Sequence, residues 1–231
     1  MTENTVYVKK YGSGDGGFPV NEREIWRYCG YMGMAETVDD ALKELLSEVR
    51  SELEGAFSYK VCYRRMELSW QDGMPVLPFG VQSGDLARCL AGSREVILFA
   101  ATVGLEIDRH IARHQRFAPT KALLMQAYGA ERVEGLCDGF CREIADQAAQ
   151  EGLSCTARFS PGYGDLPLET QNDFFRLLDC SRQIGIALNE SLLMTPSKSV
   201  TAIFGLGKCV GEKRRHGCAD CTGVDCTFRT V

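Results

Sequence analysis

The 231-residue sequence predicts an α+β fold, an antiparallel-leaning central sheet flanked by helices, one of them long. Three observations predict it. Residues 95–103, Glu-Val-Ile-Leu-Phe-Ala-Ala-Thr-Val, form a nearly continuous apolar run, the pattern of a buried central strand. Pro119 to Gln150 reads as one uninterrupted helix, opened by a proline whose missing N–H costs little there and closed by Gly152. Strands and helices interleave without the regular spacing of βαβ units.

Composition bounds the rest. Hydrophobic residues make up 45% and charged residues 25%, ordinary for a soluble globular chain that can bury a substantial core. A net charge of −5 argues against a broad nucleic-acid surface. No apolar run reaches the roughly 18 residues of a membrane span. Met1-Thr2-Glu3-Asn4 lacks the basic and apolar regions of a signal peptide. The expectation is a cytoplasmic protein that binds neither nucleic acid nor membrane.

Residues 1–20 hold Gly12-Ser13-Gly14-Asp15-Gly16-Gly17 and read as a flexible N-terminal segment, with Val6-Tyr7-Val8 as a short edge strand. No buried strand precedes these glycines and no helix follows at once, so they do not read as a nucleotide loop. Asn21 with Glu24 resembles a capping box for a short helix to about Tyr28. Thr37 with Asp40 opens a longer helix, with Val38, Ala41, Leu42, Leu45, Leu46, Val49 and Leu53 at helical spacing. Ser58 to Trp70 reads as strand, and the change of apolar parity at Arg64-Arg65 suggests a bulge. Met74 to Leu77 pairs back across Gly73, and Ser83 to Leu90 is a short helix. Leu105 to Arg116 is helical; its His110 and His114, one turn apart, could share a metal, but the arginines beside them favour a solvated face.

The long helix contains Gly129, Gly135 and Gly139. Glycine inside a helix costs roughly 1 kcal/mol against alanine, so several together suggest a close approach, by a packed helix or by a ligand. Cys155 to Phe159 reads as strand, Leu168 to Asp179 as helix, and Leu188–Met194 and Ser199–Leu206 as strands around a Thr195–Lys198 turn. One domain over 21–207 follows, with a cysteine-rich tail over 208–231.

Two stretches carry chemistry. Arg158-Phe159-Ser160-Pro161-Gly162-Tyr163-Gly164-Asp165-Leu166-Pro167 is a shaped loop. Arg158 offers a planar fork for a carboxylate or phosphate, and Tyr163 a flat face with a hydroxyl. On chemistry alone the favoured reading is a tight turn between a strand and a helix, with Arg158 in a surface ion pair. The second is the tail, where Cys209, Cys218, Cys221 and Cys226 give C-x8-C-x2-C-x4-C. Four close thiolates suit zinc or an iron–sulfur cluster, and spacing does not decide between them. Cys62, Cys89, Cys137, Cys141 and Cys180 lie in apolar periodic segments and read as core.

The Arg158–Pro167 loop, followed by Glu190-Ser191-Leu192-Leu193-Met194-Thr195-Pro196-Ser197-Lys198-Ser199-Val200-Thr201-Ala202, resembles the activation domain of vitamin B12-dependent methionine synthase, and more closely its free-standing versions. Leu98–Gly104, the helix with Lys121-Ala122-Leu123-Leu124 and the terminal Cys218, Cys221 and Cys226 extend the resemblance. The resemblance implies binding of S-adenosylmethionine (AdoMet), with Arg158, Gly162 and Tyr163 at its contacts. It implies a partner, methionine synthase or another corrinoid methyltransferase, that holds cobalamin. It also implies an electron donor such as flavodoxin, or a cluster of the chain's own, for reductive methylation of cob(II)alamin. Full-length synthases carry an acidic residue where Tyr28-Cys29-Gly30-Tyr31 has glycine, so a second AdoMet contact is lost or moved. The alternative is a metal-stapled or iron–sulfur protein that docks on or reduces a corrinoid protein without AdoMet.

Overall fold

Every residue from Val96 to Thr102 is buried, and the architecture follows from covering both faces of that strand. The computed structural model describes residues 5–12, 17–31 and 38–208. In chain order it contains β1 (Tyr7–Lys10), α1 (Glu22–Tyr28), α2 (Asp40–Glu52), β2 (Lys60–Glu67), β3 (Ser69–Gln71), β4 (Met74–Val76), α3 (Gly84–Cys89), β5 (Glu95–Thr102), α4 (Glu106–His114), α5 (Pro119–Gln150), β6 (Ser154–Cys155), α6 (Gln171–Leu178), α7 (Cys180–Ile184), β7 (Ala187–Leu188), β8 (Met194–Thr195) and β9 (Ser199–Gly207).

The main sheet has five strands in the order β1-β2-β5-β9-β6, every pair antiparallel. Odd-numbered residues of β5 (Ile97, Phe99, Ala101) join Val61 and even-numbered Ala202 and Phe204 under α1, α2, α4 and α5. Even-numbered residues (Val96, Leu98, Ala100) join Cys62 and Ile203 under α3, α6 and α7. An antiparallel sheet often leaves one face wet. This one is a middle layer, so its central strand carries apolar residues at both parities.

The same fact removes the expected bulge. The β2–β5 ladder runs unbroken from Lys60↔Thr102 to Glu67↔Glu95. The parity change at Arg64-Arg65 marks two covered faces, and Arg65 stays in register with its guanidinium 2.5 Å from Glu95 and 2.7 Å from Glu151. The strand breaks instead at Leu68, whose N–H donates to Arg94 O, and Trp70 belongs to the β3–β4 hairpin. The expected strand over 188–194 reduces to a two-residue pairing of β7 with β8, outside the main sheet.

Helix α2 starts at Asp40 under an Asp39 cap that accepts from the Ala41 N–H; Thr37 lies outside the described residues. Asn21 does sit at the N-cap of α1, but without a side-chain cap. Its N–H donates to Glu131 instead, and Glu24 pairs with Arg27. His110 and His114 do not form a solvated face. Both are half-buried, with His110 Nδ1 3.2 Å and His114 Nε2 3.4 Å from Glu52 Oε1 and Lys121 Nζ 2.9 Å from Glu52 Oε2. They fasten α4 and α5 to the end of α2. Burial alone would raise the Glu52 pKa, but donation from Lys121 and His110 outweighs it and holds the carboxyl below its ordinary value.

The glycines of α5 have specific neighbours. A Cβ on Gly129 would lie 3.0 Å from Ile107 of α4, the packed helix expected there, whereas at Gly139 it would lie 2.0 Å from Phe18 Cε1, so there an aromatic side chain from the N-terminal segment makes the close approach. That segment is anchored by Arg132, whose side chain is fully buried. Arg132 pairs with Glu131 at 2.7 Å and donates to Phe18 O at 3.0 Å and Pro19 O at 3.1 Å. The stretch 1–20, expected to be flexible, therefore contributes both β1 and Phe18 to the fold.

Candidate functional site

Phe159 exchanges two 2.8 Å backbone hydrogen bonds with Ile203 of β9, which extends the sheet edge just past β6. Alternation then sends Phe159 into the α6–α7 core and Arg158 toward α5. Arg158 Nη2 lies 2.6 Å from Glu134 and 3.0 Å from Asp138. These carboxylates are one turn apart on α5, and so reach the same guanidinium. The Arg158 side chain is 26% exposed. Its Nη1 is shielded from solvent and has no hydrogen-bond acceptor among the described residues.

Burial of Arg158 acts to lower its pKa, but the negative groups around it, Cys137 as thiolate, Glu134 and Asp138, more than reverse this and raise it. Cys137 is itself pushed well up by burial, and Cys141 to about 12 for the same reason. Both are therefore neutral thiols near neutrality, and the two carboxylates supply the charge that Arg158 meets. The carboxylate pair, which sequence reasoning did not single out, was signalled by two acids spaced i, i+4 in a stretch otherwise rich in glycine and apolar residues.

Beyond Arg158 the chain turns back on itself. Tyr163 N–H donates to Ser160 O, Leu166 N–H to Tyr163 O and Gly162 N–H to Leu166 O at 2.9 Å. Gly162 has φ +89°, in the left-handed region that favours glycine. Leu166 is buried, whereas Tyr163 is 68% exposed at the apex. Arg158 therefore lies at the base of the loop, with Gly162 and Tyr163 at its exposed tip. A groove of about 600 Å³ lies elsewhere, lined by Pro19, Val20, Asn21, Glu22, Arg23 and Arg50.

The other expected ligands divide. Cys209, Cys218, Cys221 and Cys226 lie outside the described residues. Cys62, Cys89, Cys137 and Cys180 are buried and Cys141 is half-buried, as core residues should be. Among the described residues no group of three or more His, Cys, Asp or Glu side chains is arranged to hold a metal ion. None of the described helices is long and apolar enough to cross a membrane.

A sequence profile of the family described as "Vitamin B12 dependent methionine synthase, activation domain" matches residues 90–209, just over half of the chain. The chain belongs to this family. The matched segment of this activation-domain chain holds β5, α5, the Arg158 loop and β9, whereas β1, α1, α2 and β2 precede it. A solved structure described as the crystal structure of the MetH reactivation domain bound to AdoHcy is similar with a TM-score of 0.65. The alignment is 13% identical and covers 87% of this chain and 78% of that one. At this identity the likeness is one of fold, and it extends the activation-domain architecture to the elements before residue 90. No curated protein matches the chain.

Proposed function

We propose that this activation-domain chain is an AdoMet-binding accessory subunit that supports reductive methylation of cob(II)alamin on a separate cobalamin-dependent methyltransferase, methionine synthase or another corrinoid enzyme. The observation that carries the reading is Arg158, within the family-matched segment, with one guanidinium nitrogen lacking an acceptor and two carboxylates beside it. An α-amino acid carries one group of each sign. Its carboxylate would take Arg158, and its ammonium would take Glu134 and Asp138. The MetH reactivation domain of similar fold is described with AdoHcy bound, which supports the same ligand class here.

When bound, AdoMet supplies an electrophilic methyl group on a good leaving group. The chain's own part is to hold the amino-acid end and present the nucleoside end toward Gly162 and Tyr163. Positioning of this kind is the main contribution a protein can make where acid–base help is not needed. Calorimetry on the purified chain tests it: AdoMet binds, and Arg158→Ala weakens binding by more than about 1.5 kcal/mol, as for a hydrogen bond to a charged group. Equal affinity in wild type and variant removes Arg158 from the site. Methylation of cob(II)alamin on a candidate partner, with an added electron donor and with and without the chain and AdoMet, tests the wider role.

A second reading concerns residues 208–231 as a metal-binding module on a 21–207 domain. Its support is the thiol spacing itself: Cys209, Cys218, Cys221 and Cys226 give C-x8-C-x2-C-x4-C, starting two residues after β9 ends at Gly207. Zinc there would staple the terminus, and a cluster could relay the electron. Anaerobic purification decides between them by visible absorbance, and loss of the metal in Cys221→Ser assigns it to the tail. Binding of a corrinoid protein without AdoMet would favour this module over the first reading.

A further inference from the structure

Two apolar pins fix the ends of the site loop: Phe159, 8% exposed, and Leu166, 1% exposed, both in the α6–α7 core. Between them lie six exposed or constrained residues that two pins alone would not hold in one conformation. A third attachment lies beside Leu166. The Asp165 carboxylate accepts from the Ser83 hydroxyl, from Gly84 N–H at 2.8 Å and from Asp85 N–H at 3.2 Å. In return, Asp165 N–H donates to Asp85 Oδ2 at 3.2 Å. The Ser83 oxygen accepts from Leu86 N–H at 3.0 Å while its proton goes to Asp165, so one hydroxyl caps α3 and grips the loop. Donation from Ser83, then from the Asp85 and Gly84 amides, holds the Asp165 carboxyl below its ordinary pKa.

The backbone is shaped to permit this exchange. Gly164 has φ +53°, and a Cβ there would sit 2.2 Å from Asp85 Oδ2. The second loop glycine is thus accounted for by Asp85, not by a ligand. Helix α3 is itself seated in the core through Leu86 and Cys89. The loop apex, Gly162 and Tyr163, therefore hangs between the sheet edge at Phe159 and a rigid helix at Asp165.

We propose that Asp165 is a positioning residue for the AdoMet site: its reciprocal exchange with Ser83, Gly84 and Asp85 locks the 160–166 turn so that Gly162 and Tyr163 are presented in one conformation. The proposal rests on the AdoMet reading above, but the lock exists without ligand and is measured without it. The tests are amide hydrogen exchange of the ligand-free full chain and AdoMet calorimetry, each on wild type, Asp165→Ala and Asp165→Asn. Thermal unfolding of each variant checks that the fold persists. The lock predicts that Asp165→Ala speeds exchange at Gly162, Tyr163 and Leu166 by about tenfold or more, with exchange in β5 and α5 unchanged. It predicts a matching loss of about tenfold in AdoMet affinity, read at constant fold stability. In Asp165→Asn one oxygen still accepts from Ser83 and Asp85 while the Gly84 contact is lost, so both readouts fall between wild type and Asp165→Ala.

Unchanged exchange in Asp165→Ala overturns the lock. Faster exchange with undiminished AdoMet affinity overturns the positioning role. If wild type binds no AdoMet, it is the parent reading that fails, and the exchange experiment still rules for or against the lock. Should Asp165→Ala not fold, Asp165→Asn, which gives up the Gly84 contact and leaves the Ser83 cap of α3 in place, carries the same two readouts against wild type.

Discussion

Helix α5 meets two arginines, and they are treated in opposite ways. Arg132 is wholly buried, and Glu131 and two backbone carbonyls of the N-terminal segment take its hydrogens. Arg158 stands at the sheet edge, is partly exposed, and has one nitrogen without an acceptor among the described residues. A buried charge survives only when paired and hydrogen-bonded, so the first arginine is fastened into the structure. The second is left with bonding capacity. The difference lies in how completely each guanidinium is satisfied, although both pair with a glutamate of the same helix.

The contrast is sharpest under substitution. Arg132→Met leaves the Glu131 carboxylate buried with the Asn21 N–H, and breaking such a pair costs about 3–5 kcal/mol, to be read from urea unfolding. Arg158→Ala is expected to reverse the pattern. Stability changes by less than about 1 kcal/mol, while AdoMet binding loses about 1.5–3 kcal/mol by calorimetry. If the two variants behave alike, the distinction collapses. A smaller effect probes what Arg132 secures. Gly139→Ala pushes a methyl into Phe18, costing about 1–3 kcal/mol against a gain of up to about 1 kcal/mol in helix propensity. In a Phe18→Ala background the same change becomes neutral or stabilising.

The smallest effect is a pH dependence at Glu143, another acid on α5, which accepts from Lys9 and Tyr11 of the edge strand region. Donation from Lys9, opposed by burial and aided by Tyr11, lowers its pKa from the ordinary 4.5. A depressed carboxylate stabilises above its unfolded pKa and loses that contribution as pH falls through the folded value. The group is 40% exposed, so the gap between wild type and Glu143→Gln is under about 1 kcal/mol near neutrality. Urea midpoints should converge as pH drops below 4.5.

The sequence disclosed most where periodicity alone decides. The apolar run at 95–103 became β5, which stops at Thr102, and the stretch from Pro119 to Gln150 became α5 with matching ends. It misled where two environments give one pattern. Apolar residues at both parities around Arg64-Arg65 read as a bulge, because a strand covered on both faces looks like one that changes phase. Gly139 announced crowding without naming Phe18, more than a hundred positions away. At the candidate site the donor fork of Arg158 was legible, and the ligand proposed for it came from the resemblance alone. Its partners were not, since Glu134 and Asp138 become neighbours only once α5 lies along the sheet edge. The Asp165 lock was invisible for the same reason: Ser83 reads as an ordinary helix cap, and nothing local says that its proton points at another loop.

A Cβ on Gly207 would lie 2.2 Å from Gly92 O, so the last residue of β9 runs directly against the turn after α3. Anyone attaching a reporter or an affinity handle downstream should leave that contact intact and begin the spacer after Lys208. A linker that replaced Gly207 itself with a residue bearing a side chain would wedge apart two main chains, and loss of signal could then be mistaken for loss of a partner.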